Sequence, residues 1–223
     1  MKTTILACFL LASATYSNAQ IVFTDWTIVD TSANVAVGSL NSASVTFTGS
    51  DINFGVTNGS FTGFNFSFFD PPLATSDVVE FKADPSSVFT YTISLSLPLT
   101  NPRLHLASLA STLDFSGISL TKLSGQSSFA VSGSTVTGQV DAGGSGFNDS
   151  NGTIQLNGTF TSITFTAQAP PAISDGIDMQ LGVAAVPEPS TYAMAALCAA
   201  ALFVSRCRRR RGHLTLNPAE HLS

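Results

Sequence analysis

"VFTYTISLSLP", Val88 to Pro98, decides the fold. Phe89, Tyr91, Ile93, Leu95 and Leu97 alternate with Thr90, Thr92, Ser94 and Ser96. A period of two places apolar side chains on one face and hydroxyls on the other, which is a half-buried β-strand and not a helix. Other stretches repeat the pattern. "FNFSFF" carries Phe64, Phe66 and Phe68 in alternation, and "GIDMQLGV" carries Ile177, Met179, Leu181 and Val183. "TFTSITFTA" carries Phe160, Ile163 and Phe165, and its break in alternation predicts a β-bulge. Asn58-Gly59 and Asn157-Gly158 supply the positive φ of type I′ hairpin turns, and Pro71-Pro72, Asp84-Pro85 and Asn101-Pro102 punctuate the rest. About ten to twelve short strands in one domain predict an all-β, antiparallel β-sandwich, jelly-roll-like in its winding.

Composition agrees with an exported β-protein. Apolar residues are 44% of the chain, enough for a packed core, while charged residues are 10% against a typical ~25%. Between Ile21 and Val186 stand only three basic residues, Lys82, Arg103 and Lys122, against twelve acidic ones. So acidic a body repels phosphate backbones, which excludes nucleic acid as a partner. Cys8, Cys198 and Cys207 all lie outside it, so the domain has no disulfide and no thiol nucleophile.

The ends read differently from the body. "MKTTILACFLLASATYSNAQ" has a positive Lys2, an apolar run from Ile5 to Ala14, and small residues at Ser17 and Ala19, which predicts a signal helix over residues 1–19 cleaved between Ala19 and Gln20. At the other end, "VPEPSTYAMAALCAAALFVSRCRRRR" joins two prolines to an apolar run and an arginine block, Arg206, Arg208, Arg209, Arg210 and Arg211. Residues 190–205 as a helix span ~24 Å at 1.5 Å per residue, and snorkelling arginines extend that reach. Arginines on one flank place that flank in the cytoplasm, so the body lies across the membrane, where the signal peptide sends it.

The order Val186-Pro187-Glu188-Pro189-Ser190-Thr191, apolar helix, arginine cluster resembles the PEP-CTERM sorting signal of Gram-negative and related bacteria. The resemblance implies that Pro187, Glu188 and Pro189 are recognised by an exosortase-type membrane transpeptidase. It also implies that the arginines retain the tail in the inner membrane until processing, and that the protein works alongside exopolysaccharide. Cys207 interrupts the arginines, and residues 212–223 follow as a cytoplasmic tail. The expected organisation is a signal peptide (1–19), an extracellular or periplasmic sandwich (20–185), a sorting signal (186–211) and that tail.

Within the body, candidate chemistry is sparse. Asp141, Asp149 and Asn151 in "DAGGSGFNDSNGT" offer oxygen ligands for Ca²⁺, although Phe147 and Gly158 occupy positions where an EF-hand needs carboxylates. His105 is the body's only histidine and alternates with Leu104 and Leu106. Carboxylates for glycoside hydrolysis exist in Asp70, Asp77, Glu80, Asp84 and Asp114, but spacing does not say which pair would meet. Trp26 is the only tryptophan available to stack a sugar. No catalytic set, metal site or cofactor is expected. The leading expectation is a non-catalytic envelope or biofilm-matrix protein. The alternatives are a carbohydrate-binding module, calcium-assisted, and a secreted glycoside hydrolase.

Overall fold

The computed structural model describes residues 20–56, 66–72, 77–140, 149–185 and 200. Residues 20–185 form one compact unit. The described residues contain fifteen strands and one 3₁₀ turn, Phe66–Phe68. In chain order the strands are β1 (Ile21–Phe23), β2 (Asp25–Asp30), β3 (Val35–Leu40), β4 (Ala43–Gly49) and β5 (Ile52–Val56). There follow β6 (Val78–Ala83), β7 (Phe89–Thr100), β8 (Arg103–Leu109), β9 (Thr112–Asp114) and β10 (Leu120–Gly125). The last five are β11 (Ala130–Ser132), β12 (Thr135–Thr137), β13 (Ser150–Leu156), β14 (Thr159–Gln168) and β15 (Asp175–Ala184).

Every pairing is antiparallel, in two sheets. Sheet I runs β10-β13-β8-β15-β6-β5, with β1 added beside β15; sheet II runs β11-β12-β9-β14-β7-β4-β3-β2. From β6 onward the chain shuttles between the sheets, staying in one only for the β11–β12 hairpin. Their apolar faces meet in one core. At its centre Phe47, Tyr91, Phe115 and Phe165 of the sheet II side and Phe81 of sheet I have ring centroids 4.7–6.3 Å apart. Tyr91 also ties the layers by hydrogen bonding: its hydroxyl lies 2.9 Å from the Asp51 carbonyl and 2.7 Å from the Lys82 carbonyl. That ring passes so close to Gly49 that a Cβ there would stand 2.0 Å from it.

The period-two reading of Val88–Pro98 stands as far as Leu95, since Tyr91, Ile93 and Leu95 are buried and Thr90, Ser94 and Ser96 exposed, whereas Leu97, expected on the buried face, is 47% exposed. The bulge stands too, and displaces the β14–β7 register between Phe160 and Ser162. Two further expectations change. Phe66 and Phe68 belong to a 3₁₀ turn and not to a strand, and Phe64 lies outside the described residues. Asn157-Gly158 is not a hairpin turn: it carries the chain from β13 in sheet I to β14 in sheet II. Only Gly158 of the two has positive φ, at 142°, whereas a type I′ turn needs both. The link is fixed instead by the neighbouring crossover: Asn101 N–H donates to the Gly158 carbonyl at 2.7 Å, and Gly158 N–H to Asn101 Oδ1 at 3.0 Å. Asn58-Gly59 lies outside the described residues.

Candidate functional site

The first and last strands of the body close on each other. β1 pairs with the end of β15, Ile21 opposite Ala184, and Ala185 N–H donates to the Gln20 carbonyl at 2.7 Å. The expected mature N-terminus and the residue preceding the sorting signal are therefore hydrogen-bonded neighbours. Ala19, Pro187, Glu188, Pro189, Arg206, Arg208, Arg209, Arg210 and Arg211 lie outside the described residues, as do the expected signal helix and nearly all of the membrane helix. Among the described residues no helix is long and apolar enough to cross a membrane.

The outer face of sheet I is the most unusual surface of the body. β15 sends Ile177, Met179, Leu181 and Val183 into the core, so Asp178 and Gln180 point the other way, yet both are buried. In register beside them stand Glu80 on β6, His105 on β8 and Thr153 on β13. His105 is fully buried between Phe23, 4.9 Å away, and Phe69, 5.5 Å away. Its Nδ1 is 2.7 Å from Thr153 Oγ1, and its Nε2 has no hydrogen-bond partner. Burial, helped by the Arg103 charge, holds the imidazole neutral and lowers its pKa to about 3. Gln180 fastens the covering segments by donating to the carbonyls of Thr24 at 2.9 Å and Asp77 at 2.6 Å.

Glu80 and Asp178 are direct cross-strand partners, so two carboxyl groups share one patch. Asp178 Oδ1 is buried without a partner. Burial, then the charges of Glu80 and Asp175, push Asp178 up to about 8, so it keeps its proton at neutral pH. Burial raises Glu80 as well, against the opposing pull of a hydrogen bond from Asn53 Nδ2 to its Oε1. Nearby, Asp175 accepts from Ala110 N–H at 2.9 Å and Ser111 Oγ–H at 2.6 Å, and burial still raises it to about 6.

The other expected carboxylates do not meet. Asp70 pairs with Arg103 at 3.3 Å. Asp77 accepts the Trp26 backbone N–H at 3.1 Å. Asp84 caps its own turn through Ser86, and Asp114 accepts from Ser134 Oγ at 2.9 Å. Asp178, the partner that Glu80 does find, is one polar position in an alternating strand, and no local signal marks it. Trp26 is fully buried in the core, so it offers no face to a sugar. In the expected calcium loop Asp141 lies outside the described residues. Asn151 is buried, its Oδ1 accepting from Ser108 N–H at 3.1 Å and its Nδ2 donating to the Asp149 carbonyl at 3.0 Å. No group of three or more His, Cys, Asp or Glu among the described residues is placed to hold a metal ion.

One open groove of about 530 Å³ lies at the end of sheet II. Thr137 on β12, Thr112 on β9 and Gln168 on β14 are in register across its floor. Val140, from the segment after β12, and Pro170 and Pro171, from the segment after β14, complete its lining.

Comparison with known families finds that residues 185–211 match the PEP-CTERM protein-sorting motif. The match covers the Pro-Glu-Pro element, the apolar run and the arginines together. No curated protein and no solved structure matches the chain.

Proposed function

We propose that the chain is an exported bacterial envelope protein whose C-terminal segment is a substrate for an exosortase-type transpeptidase. The match of residues 185–211 to the sorting motif carries this reading. A cleaved signal peptide delivers the body across the inner membrane, and the arginine cluster halts the tail there. The transpeptidase grips Pro187-Glu188-Pro189, whose prolines fix an extended, helix-free segment. The body is a non-catalytic β-sandwich, jelly-roll-like in its sheet-to-sheet shuttling, that serves in an exopolysaccharide-associated matrix.

The pairing of Gln20 with Ala185 suits this route, because the strand preceding the sorting signal is clasped by β1 and processing beyond Ala185 leaves the fold intact. The test is an immunoblot for loss of a C-terminal tag in the native host. Changing Pro187, Glu188 and Pro189 together to alanine leaves membrane insertion intact and traps full-length protein. Equal tag loss in wild type and mutant would reduce the segment to an ordinary anchor.

The Glu80–Asp178 pair is the one observation favouring a hydrolase, since glycosidases set an acid beside a carboxylate. Burial of Asp178 argues that the pair instead shares a proton within the fold. Release of reducing sugar from polysaccharide by wild type, and none by Glu80→Gln, would reverse that judgement.

A further inference from the structure

The geometry points to the groove at the end of sheet II as a binding site for a neutral saccharide of one or two rings. Thr137, Thr112 and Gln168 form one row across three adjacent strands. Strands stand 4.7–4.9 Å apart, so the row is about 10 Å long. The cavity, about 530 Å³, falls within the range of small-ligand sites. Hydroxyl and amide groups each donate and accept, as do the hydroxyls of a sugar. Gln139 adds a second amide beside the row.

The rest of the lining supplies the other half of the match. Val140, 45% exposed, and Pro170 and Pro171 add apolar groups to the same groove. Such surfaces take the C–H faces of a pyranose while the floor takes its hydroxyls. Charge decides between ligand classes. The body carries twelve acidic residues against three basic ones, yet among the described residues no charged side chain lines this groove. An anionic sugar would find none of the body's basic residues, Lys82, Arg103 and Lys122, in the lining and an acidic body around it. The site deepens the matrix reading and rests on it only for the source of the sugar.

The test uses the full chain in a zwitterionic, sugar-free detergent and titrates cellobiose, maltose and glucuronic acid by ligand-observed NMR. Binding of at least one neutral disaccharide in the millimolar range, with none of glucuronic acid, is expected. Gln168→Ala weakens it about tenfold, as does Val140→Asp. Thr92→Ala, on the same sheet face away from the groove, leaves it unchanged. Thermal melts confirm that each variant folds. No binding of either disaccharide, equal binding of glucuronic acid, an unchanged affinity in folded Gln168→Ala, or displacement of the sugar by a neutral proline-rich peptide at lower concentration would each overturn the assignment. Tag loss in the native host is a separate readout, so failure here leaves the sorting reading standing.

Discussion

On sheet II the polar half of the alternating pattern faces water: Ser44 and Thr48 on β4, Thr90, Ser94 and Ser96 on β7, and Ser162 and Thr164 on β14 are exposed. On sheet I the same half, His105, Thr153, Asp178 and Gln180, is buried. The covering material includes Phe23 of β1 and Phe69 beyond the 3₁₀ turn, both against His105. Residue type differs with the setting. Hydroxyls on sheet II make only neighbourly contacts, such as Thr92 to Thr164 at 3.0 Å, and are satisfied by solvent otherwise. Amide, imidazole and carboxyl groups on sheet I must find partners or neutralise, because an unsatisfied polar group away from water is costly. Gln180 finds partners; His105 and Asp178 neutralise.

The largest expected difference between the faces is in stability. Gln180→Ala removes the donor shared by the Thr24 and Asp77 carbonyls and should cost roughly 3 kcal/mol in urea denaturation. A loss under 1 kcal/mol would mean that water replaces the amide and that the outer face of sheet I is wetter than its burial suggests.

Titration separates the faces next. Asp178 is raised from its ordinary 3.8 to about 8, so the folded state holds a proton that the unfolded chain releases. Its contribution is fully present below pH 3.8 and is lost as pH rises through 8. His105, lowered from 6.5 to about 3, acts oppositely: its contribution is present above pH 6.5 and is lost as pH falls towards 3. Between pH 6.5 and 8 the carboxyl pair alone acts, and stability should fall by up to about 1.4 kcal/mol per pH unit. Asp178→Asn should flatten that slope and raise the melting temperature at pH 8. Because Glu80 and Asp178 interact, the measured midpoint belongs to the pair. An unchanged slope in the variant would mean that the pair is solvated.

A smaller effect tests the crossover that the Asn-Gly motif disguised. Gly158→Ala forces a Cβ onto φ 142° and to within 2.9 Å of the Phe160 ring, and should cost about 1 kcal/mol or somewhat more. The smallest effect lies on the open face. Thr164→Ala should stay within about 0.5 kcal/mol of wild type, since its hydroxyl partner Thr92 remains in contact with water. A larger loss would make the hydroxyl rows structural and narrow the contrast between the two faces.

Local chemistry determined a good deal by itself. The period of two in Val88–Pro98 follows from backbone geometry, so it marked β7, and the interrupted period in Thr159–Ala167 marked the bulge. The order of prolines, apolar run and arginines marked the sorting motif, because recognition there reads contiguous sequence. What depends on distant segments was settled only by tertiary structure. Asn157-Gly158 reads as a hairpin until β13 and β14 are seen in different sheets. Trp26 reads as a sugar platform until the core encloses it. Glu80 and Asp178 stand 98 positions apart in the chain, and nothing in either neighbourhood says that β6 and β15 pair with those two in register. An alternating pattern states which side chains share a face, but only the packing of the remaining chain states whether that face meets water.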